Sequence, residues 1–444
     1  MKTSKWFFTI IITLFLTASA GCAQRVTVSP GKTGDIAQRW EWAVREARQY
    51  SGGVWIGYGI ERLMGEHSYI GNHSNQNTEL VTLEEIIAGT TGATMKSFPN
   101  AQDSARQAAE RTLLHRQPQD QAGPKVLKKV AIIFYFPENP IEISRAADLK
   151  ISNFSLPVDL ENRPLIWLGR AGQQESISFL SRSYRRAASD EVKKELIVAI
   201  GLHQIAAEVV PFLSNVVESD DQDALREDAT FWLGQQASAQ AVDLLAHTAR
   251  TDRSQSVREK AVFALSQHRS PQARDTLLSL AREAQNEGVR EEAVFWLGQS
   301  DDPGVVGMLT NLAKADPVPG VRKKAVFALS QQGSEASVDA LIDLARHGGN
   351  PEVRKEAIFW LGQIASDSVA GELKDMAYGD PDTEIQEQAV FALSQLPDRS
   401  GIPTLIDIAG GHSNVSVRKK AIFWLGQSGD PRAVEAIVQI IKSQ

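Results

Sequence analysis

Seven phenylalanines, Phe231, Phe263, Phe295, Phe327, Phe359, Phe391 and Phe423, fall 32 residues apart with no insertion between them. Each sits in the same frame, with Ala two residues before, Leu two after and Gln four after, the last being Gln235, Gln267, Gln299, Gln331, Gln363, Gln395 and Gln427. Every period carries two apolar patterns at helical spacing. The first is a ladder of Leu245, Leu277, Leu309, Leu341, Leu373, Leu405 and Ile437, with apolar partners three residues on, such as Leu280, Leu312, Leu344 and Ile408. The second runs from Val257 through Ala261 to Leu265, four residues apart, so that all three share one stripe. Turn residues such as Asp316-Pro317, Gly348-Gly349-Asn350 and Asp380-Pro381 separate the patterns, and Ser256 with Glu259 has capping-box spacing. Two degenerate copies, Ile166-Trp167-Leu168-Gly169 and Val198-Ala199-Ile200-Gly201, bring the total to about nine and start the array near residue 160. One helical hairpin cannot bury both of its stripes, so stacking on neighbours supplies the core. A lone first helix, Ala433 to Ile441, is expected to cap the end.

Residues 24 to about 158 follow other rules. Asp35 to Gln49 and Ala101 to Gln117 are expected to be helical, and Gly53 to Ile60, Lys128 to Phe136 and Ala147 to Ser155 to be strands. Gln117 to Pro124 is a polar linker. Together these predict a small α+β module, residues 24–158, ahead of a mainly α repeat domain, residues 159–444. Trp40 and Trp42 belong either to its core or to an exposed interaction helix.

The repeats resemble the HEAT-like repeats named after phycobilisome lyases. That family's Asp, Val-Arg and Ala-x-x-x-Leu frame is present as Asp252, Val257-Arg258, Ala261 and Leu265, and again as Asp316, Val321-Arg322, Ala325 and Leu329. The resemblance covers roughly residues 160–444 and implies a right-handed α-solenoid of HEAT-like hairpins. It also implies that Asp220, Asp252 and Asp316 link successive units through Arg226, Arg258 and Arg322. The pattern is broken where Gln386 replaces the Arg, and where Ala284, Gly348 and His412 replace the Asp.

A helix turns by about 100° per residue, so with Phe set at zero the Val, Ala and Leu of the frame fall on the opposite side of the helix. Gln and the two charged positions before Ala fall within about 60° of Phe. Phe and Gln thus point away from the core stripe. In the family this side of the second helix lines the concave surface. One expectation is a groove in which the seven Phe and seven Gln bind an extended or helical protein segment. The other is that neighbouring helices sandwich the Phe rings as packing between repeats.

The frame also alternates. Trp232, Trp296, Trp360 and Trp424 occur with Gly234, Gly298, Gly362 and Gly426, whereas the intervening copies have Ala264, Ala328 and Ala392 with Ser266, Ser330 and Ser394. These positions lie on opposite flanks of the helix, so each Trp can face a Ser and each Ala a Gly, which makes the true unit a pair of periods. Duplication of a repeat pair produces the same pattern. Flanking charges drift from Glu227, Asp228, Glu291 and Glu292 to Lys323, Lys324, Lys419 and Lys420, which either orients a dipolar partner or forms solvated helix faces.

Lys plus Arg number 47 against 54 Asp plus Glu, a net charge of −7 that disfavours nucleic acid as a partner. At the start, Lys2, Lys5 and the apolar run Trp6 to Thr17 read as a secretory signal peptide, residues 1–23, of a bacterial envelope protein. Two processing routes stay open, cleavage after Ala18-Ser19-Ala20 or lipidation of Cys22 behind Ala20-Gly21, so the expected location is periplasmic, soluble or lipid-anchored. Cys22 is the single cysteine, which excludes a disulfide within the chain. Export disfavours phycobilisome chemistry, whose substrate is cytoplasmic.

No catalytic residue is expected. None of the eight His is followed by Glu, the pairing with which some HEAT-like enzymes hold iron, and no CxxC, HExxH, GxSxG or GxxxxGK[ST] pattern is present. Glu66, His67 and His73 form a loop cluster read as exposed rather than metal-binding. The sequence therefore predicts a non-enzymatic extracytoplasmic scaffold without cofactor that binds a protein. The alternatives are a lyase- or chaperone-like helper presenting a substrate protein for modification, and an activity in the N-terminal module.

Overall fold

The computed structural model describes residues 25–29, 35–71, 82–88, 124–300, 302–364 and 366–442. The leader with Cys22, the helix expected at Ala101 to Gln117, most of the linker after it, and His73 lie outside the described residues. The chain separates into two units, Met1–Ile205 and Ala206–Gln444.

The first unit is built on a five-stranded sheet of β1 (Val26–Val28), β2 (Val54–Gly65), β3 (Lys125–Phe136), β4 (Asp148–Asn153) and β5 (Leu165–Arg170), in the order β1-β5-β2-β3-β4. β1 and β2 lie parallel to β5, and β2-β3-β4 run antiparallel, with Val54 opposite Phe136 and Gly65 opposite Lys125. Helix α1 (Ile36–Ala47) is capped by the Asp35 carboxylate, which accepts from Gln38 N at 2.9 Å. It covers one face together with α3 (Gln173–Arg186), and Trp40 meets Phe134, Phe136 and Phe179 at 5.3, 5.9 and 4.9 Å. Trp40 is thus core, whereas Trp42 is half-buried. Helix α2 (Leu83–Ala88) covers the other face over Trp55, Ile133 and Trp167. With both faces covered, Val54–Ile60 are buried without alternation. The unit is completed by α4 (Asp190–Gly201).

The degenerate copy at Ile166-Trp167-Leu168-Gly169 is corrected: it is strand β5, between β1 and β2. Pro164 stands where the helical frame has Ala, which opposes a continuous helix there, and Leu165–Leu168 are buried on both faces of the sheet. A short apolar run has the same composition in a buried strand as in a buried helix. The hairpins therefore begin at Gln173, not near residue 160, and α3 and α4 group with the sheet rather than across a boundary at 158/159.

In the second unit, first helices α5 (Ala206–Ser219), α7 (Ala239–Thr251), α9 (Pro271–Glu283), α11 (Val306–Ala315), α13 (Glu335–His347), α15 (Asp367–Gly379) and α17 (Ile402–Gly411) alternate with second helices. The latter are α6 (Asp223–Gly234), α8 (Gln255–Gln267), α10 (Glu287–Gly298), α12 (Pro319–Gln332), α14 (Pro351–Leu361), α16 (Thr383–Gln395) and α18 (Val415–Gln427), and α19 (Pro431–Lys442) follows alone. Helix starts follow local chemistry. Asn286, Asn350 and Asn414 accept from the first-turn amides of α10, α14 and α18, and Pro271, Pro319 and Pro351 occupy first-turn positions. The expected Ser256–Glu259 capping box does not form. Ser254 is the cap residue, so Ser256 lies inside α8, and Glu259 accepts from Gln255 Nε2 instead.

The stripes pack as their spacing dictates: Val257, Ala261, Leu265, Leu245, Leu309 and Leu341 are fully buried. Helix α19 departs from its expected capping role, because Val434, Val438 and Ile441 on its outer side are 60, 42 and 69% exposed. Its apolar residues form one broad arc, of which Ala433 alone is fully buried.

Candidate functional site

The aromatic face of the second unit grows out of helix phase. In α12, Val321, Ala325 and Leu329 are fully buried and Phe327 is half-buried, as their positions around the helix require. Six of the seven Phe are half-buried; Phe423 is 54% exposed. Phe231 stacks on Phe263 at 6.4 Å, Phe263 meets Trp296 at 5.0 Å, Trp296 meets Phe295 at 5.1 Å and Phe295 stacks on Phe327 at 6.1 Å. The order continues through Trp360, Phe359, Phe391 and Trp424 to Phe423, and Trp232 heads it beside Phe231, so seven Phe and four Trp rings form one unbroken run. Six of the Phe rings pack against a ring of a neighbouring repeat, as the packing expectation has it, whereas among the described rings Phe423 meets only Trp424 of its own helix, and all seven keep an exposed portion. Each ring pair contributes roughly 0.5–1.5 kcal/mol beyond its buried area.

The amides flank this run. Gln235 and Gln267 are half-buried, and Gln299, Gln331, Gln363, Gln395 and Gln427 are exposed. In the serine-bearing repeats the amide is held locally: Gln267, Gln331 and Gln395 donate to Ser266, Ser330 and Ser394 at 3.2, 3.2 and 3.0 Å. Lys260 and Lys324 set their ammonium groups 5.6 Å from the rings of Phe263 and Phe295.

The acids beside the tryptophans have a role that the charge pattern alone did not suggest. Glu292 accepts from Trp296 Nε1 at 2.6 Å and Glu356 from Trp360 Nε1 at 2.8 Å, in each case one helical turn apart. Half-burial raises the pKa of Glu292, with the indole bond pulling against it. The signal was present as Glu-x-x-x-Trp spacing in both helices.

Successive repeats meet through two kinds of joint. Where a Trp repeat precedes an Ala repeat, Gly lies against Ala: a Cβ placed on Gly234, Gly298 or Gly362 would stand 2.8, 2.6 or 3.0 Å from the Cβ of Ala264, Ala328 or Ala392. That is the close approach expected from the alternation, and only Gly permits it. The same joints carry the ion pairs. Arg226 holds Asp252 through two bonds of 3.1 and 3.0 Å, Arg290 lies 3.6 Å from Asp316, and Arg354 binds Asp380. At the intervening joints the forward position is Ala284, Gly348 or His412, and Arg258, Arg322 and Gln386 donate to carbonyls of their own repeat, Asp252 O, Asp316 O and Asp380 O. The links implied for Arg258 and Arg322 are corrected accordingly: links between repeats run from Arg226, Arg290 and Arg354.

Elsewhere, Glu66 and His67 are exposed. Among the described residues no group of three or more His, Cys, Asp and Glu could hold a metal ion, and no helix is long and apolar enough to cross a membrane.

The family of HEAT repeats matches residues 210–294, 274–362 and 338–411, and the PBS lyase HEAT-like repeat matches residues 417–443. No curated protein matches the chain in sequence. Among solved structures, human deoxyhypusine hydroxylase is similar at 19% identity over 58% of this chain and 96% of its own, with a TM-score of 0.25. The Escherichia coli protein YibA matches at 22% identity over 56% of this chain and 92% of its own, with a TM-score of 0.31. The CpcE–CpcF phycocyanin lyase complex of Nostoc sp. matches at 20% over 52% and 93%, with a TM-score of 0.25. Likeness at these scores carries no functional argument.

Proposed function

We propose, for a chain that belongs to the HEAT-repeat family through residues 210–411 and 417–443, that its second unit is a non-enzymatic scaffold binding a segment of another protein along the aromatic face. The observation that carries this reading is the unbroken run of part-exposed Phe rings, flanked by the exposed amides of Gln299, Gln331 and Gln363. Aromatic rings offer contact area at small entropic cost, and amides offer both donors and acceptors to a peptide backbone. The leader read from residues 1–23 extends the proposal to a periplasmic location, soluble or anchored through Cys22. Globomycin-sensitive processing would establish the anchor.

Photo-crosslinkers at Gln299, Gln331 and Gln363 should capture one protein, and replacing Phe295, Phe327 and Phe359 together with Ser should abolish that capture while far-UV helicity persists. Phe423→Ser, at the most exposed ring, should cost no more than about 1 kcal/mol. Undiminished capture by the triple variant would sink the groove. A second reading, a helper that presents a substrate protein for modification, is favoured by the match of residues 417–443 to the lyase-named repeat. It requires the captured protein to emerge covalently altered, which intact-mass measurement detects.

A further inference from the structure

Of the four second helices that carry a Trp, two share one local bond and a third departs from it. In α10 and α14 the tryptophan donates its indole N–H to an acid one turn earlier, Glu292 or Glu356. In α18 that position is Lys420, and the indole Nε1 of Trp424 is buried with no hydrogen-bond partner. A buried donor without a partner forfeits roughly 1–3 kcal/mol. Here the residue one turn before the tryptophan is a cation, so two donors line a cleft where the equivalent repeats pair the indole with a carboxylate.

That position opens onto a cleft between α16 and α18, lined by Lys420, Trp424, Phe391 and Gln388 together with Lys355, Glu384 and Glu387. The two acids there are already engaged: Glu384 pairs with Lys355, and Glu387 accepts from Ser416. Phe391 lies 5.0 Å from Trp424 and forms an apolar wall. The cleft belongs to the aromatic face and continues its run of rings.

We propose that this cleft receives a carboxylate borne by an acidic side chain of the bound protein segment, completing from outside the acid–indole bond that Glu292 and Glu356 complete from within. The inference rests on the groove reading above and adds the chemistry of one residue of its partner. An incoming carboxylate would take the Trp424 N–H as one bond and the Lys420 ammonium as a charge-assisted second, and its aliphatic stem would lie on Phe391. The flexible four-carbon stem of Lys420 lets its ammonium follow the ligand.

Nuclear magnetic resonance of the indole N–H signals of the full chain tests this, with the Trp424 signal identified from Trp424→Phe. A blocked phenylalanyl-glutamyl peptide should move that signal saturably, and its glutaminyl counterpart should bind about tenfold more weakly. Lys420→Glu, which rebuilds the arrangement of α10 and α14, should abolish the response and raise the thermal midpoint. Lys420→Met should weaken binding without raising the midpoint. Equal response to both peptides, or an undiminished response in Lys420→Glu, overturns the proposal, and acetate acting as well as the glutamyl peptide overturns the assignment to a protein segment. If crosslinking from Gln331 and Gln363 still captures a partner while Trp424 never responds, the groove stands and only the carboxylate receptor falls. Loss of both removes the groove itself.

Discussion

Arg226 keeps its charge in the interior, with 2% of its side chain exposed, because Asp252 takes two of its N–H groups and the carbonyls of Asp220 and Asp221 take others. Removing one partner strands the other, so Asp252→Ala should destabilise the second unit by about 3 kcal/mol in urea titration, whereas exposed Asp221→Ala should change little. His203 in the first unit poses the opposite problem. Burial is the main influence that lowers its pKa from 6.5 to about 4, against the pull of hydrogen bonds from Nδ1 to Ala199 O and Ile200 O. The folded state favours the neutral ring, so its contribution is complete above pH 6.5 and is lost as pH falls from 6.5 toward 4. Full loss would amount to roughly 3 kcal/mol. Unfolding titrations at pH 7 and pH 5 should therefore diverge for the natural protein and converge in a His203→Gln variant.

At the scale of elements, the glycines of α10 and α18 occupy the same place in the frame and meet different surroundings. Gly298→Ala would drive a Cβ to 2.6 Å from Ala328 Cβ and 2.7 Å from its Cα, neither of which can yield without moving α12, and should cost about 1–3 kcal/mol. Gly426→Ala meets nothing within 4 Å and should be neutral or stabilise α18 by up to about 1 kcal/mol, read from thermal midpoints. Most of the helices were legible because a stripe such as Val257, Ala261 and Leu265 admits one phase only, and the side of the helix carrying Phe and Gln followed from it. Pairwise relations were less so. The Gly–Ala approach could be anticipated from complementary sizes, but the forward reach of Arg226 to Asp252 depends on the offset between hairpins, which the residues of one hairpin do not encode. Strand β5 was misread because a buried strand and a buried helix draw on the same apolar residues when four positions are all the pattern offers. The carboxylate-lacking Trp424 became visible only when its indole was seen beside those of Trp296 and Trp360.

For the second unit as a whole, the two joint types alternate, so its smallest interchangeable module is a pair of repeats. Excising Gln267–Ser330, two full periods, leaves Ser266 to meet a Trp repeat as before, and the shortened chain should unfold in one cooperative transition. Excising Gln267–Gly298, a single period, brings Ser266 against Ala328, where the equivalent natural joint admits only glycine. That product should show a lower urea midpoint and a broader transition. Equal midpoints for the two excisions would refute the paired module.

The continuous file of rings has a mechanical corollary. Ring planes lie 2° from parallel between Phe295 and Phe327, and 13° between Phe359 and Phe391, and Phe327 and Phe391 each meet a tryptophan of the next repeat on the other side, so a hinge at one rung must part rings there. Like the laths of a laminated strip, neighbouring rungs share faces, so opening one joint forfeits its own ring contacts, roughly 0.5–1.5 kcal/mol for each pair.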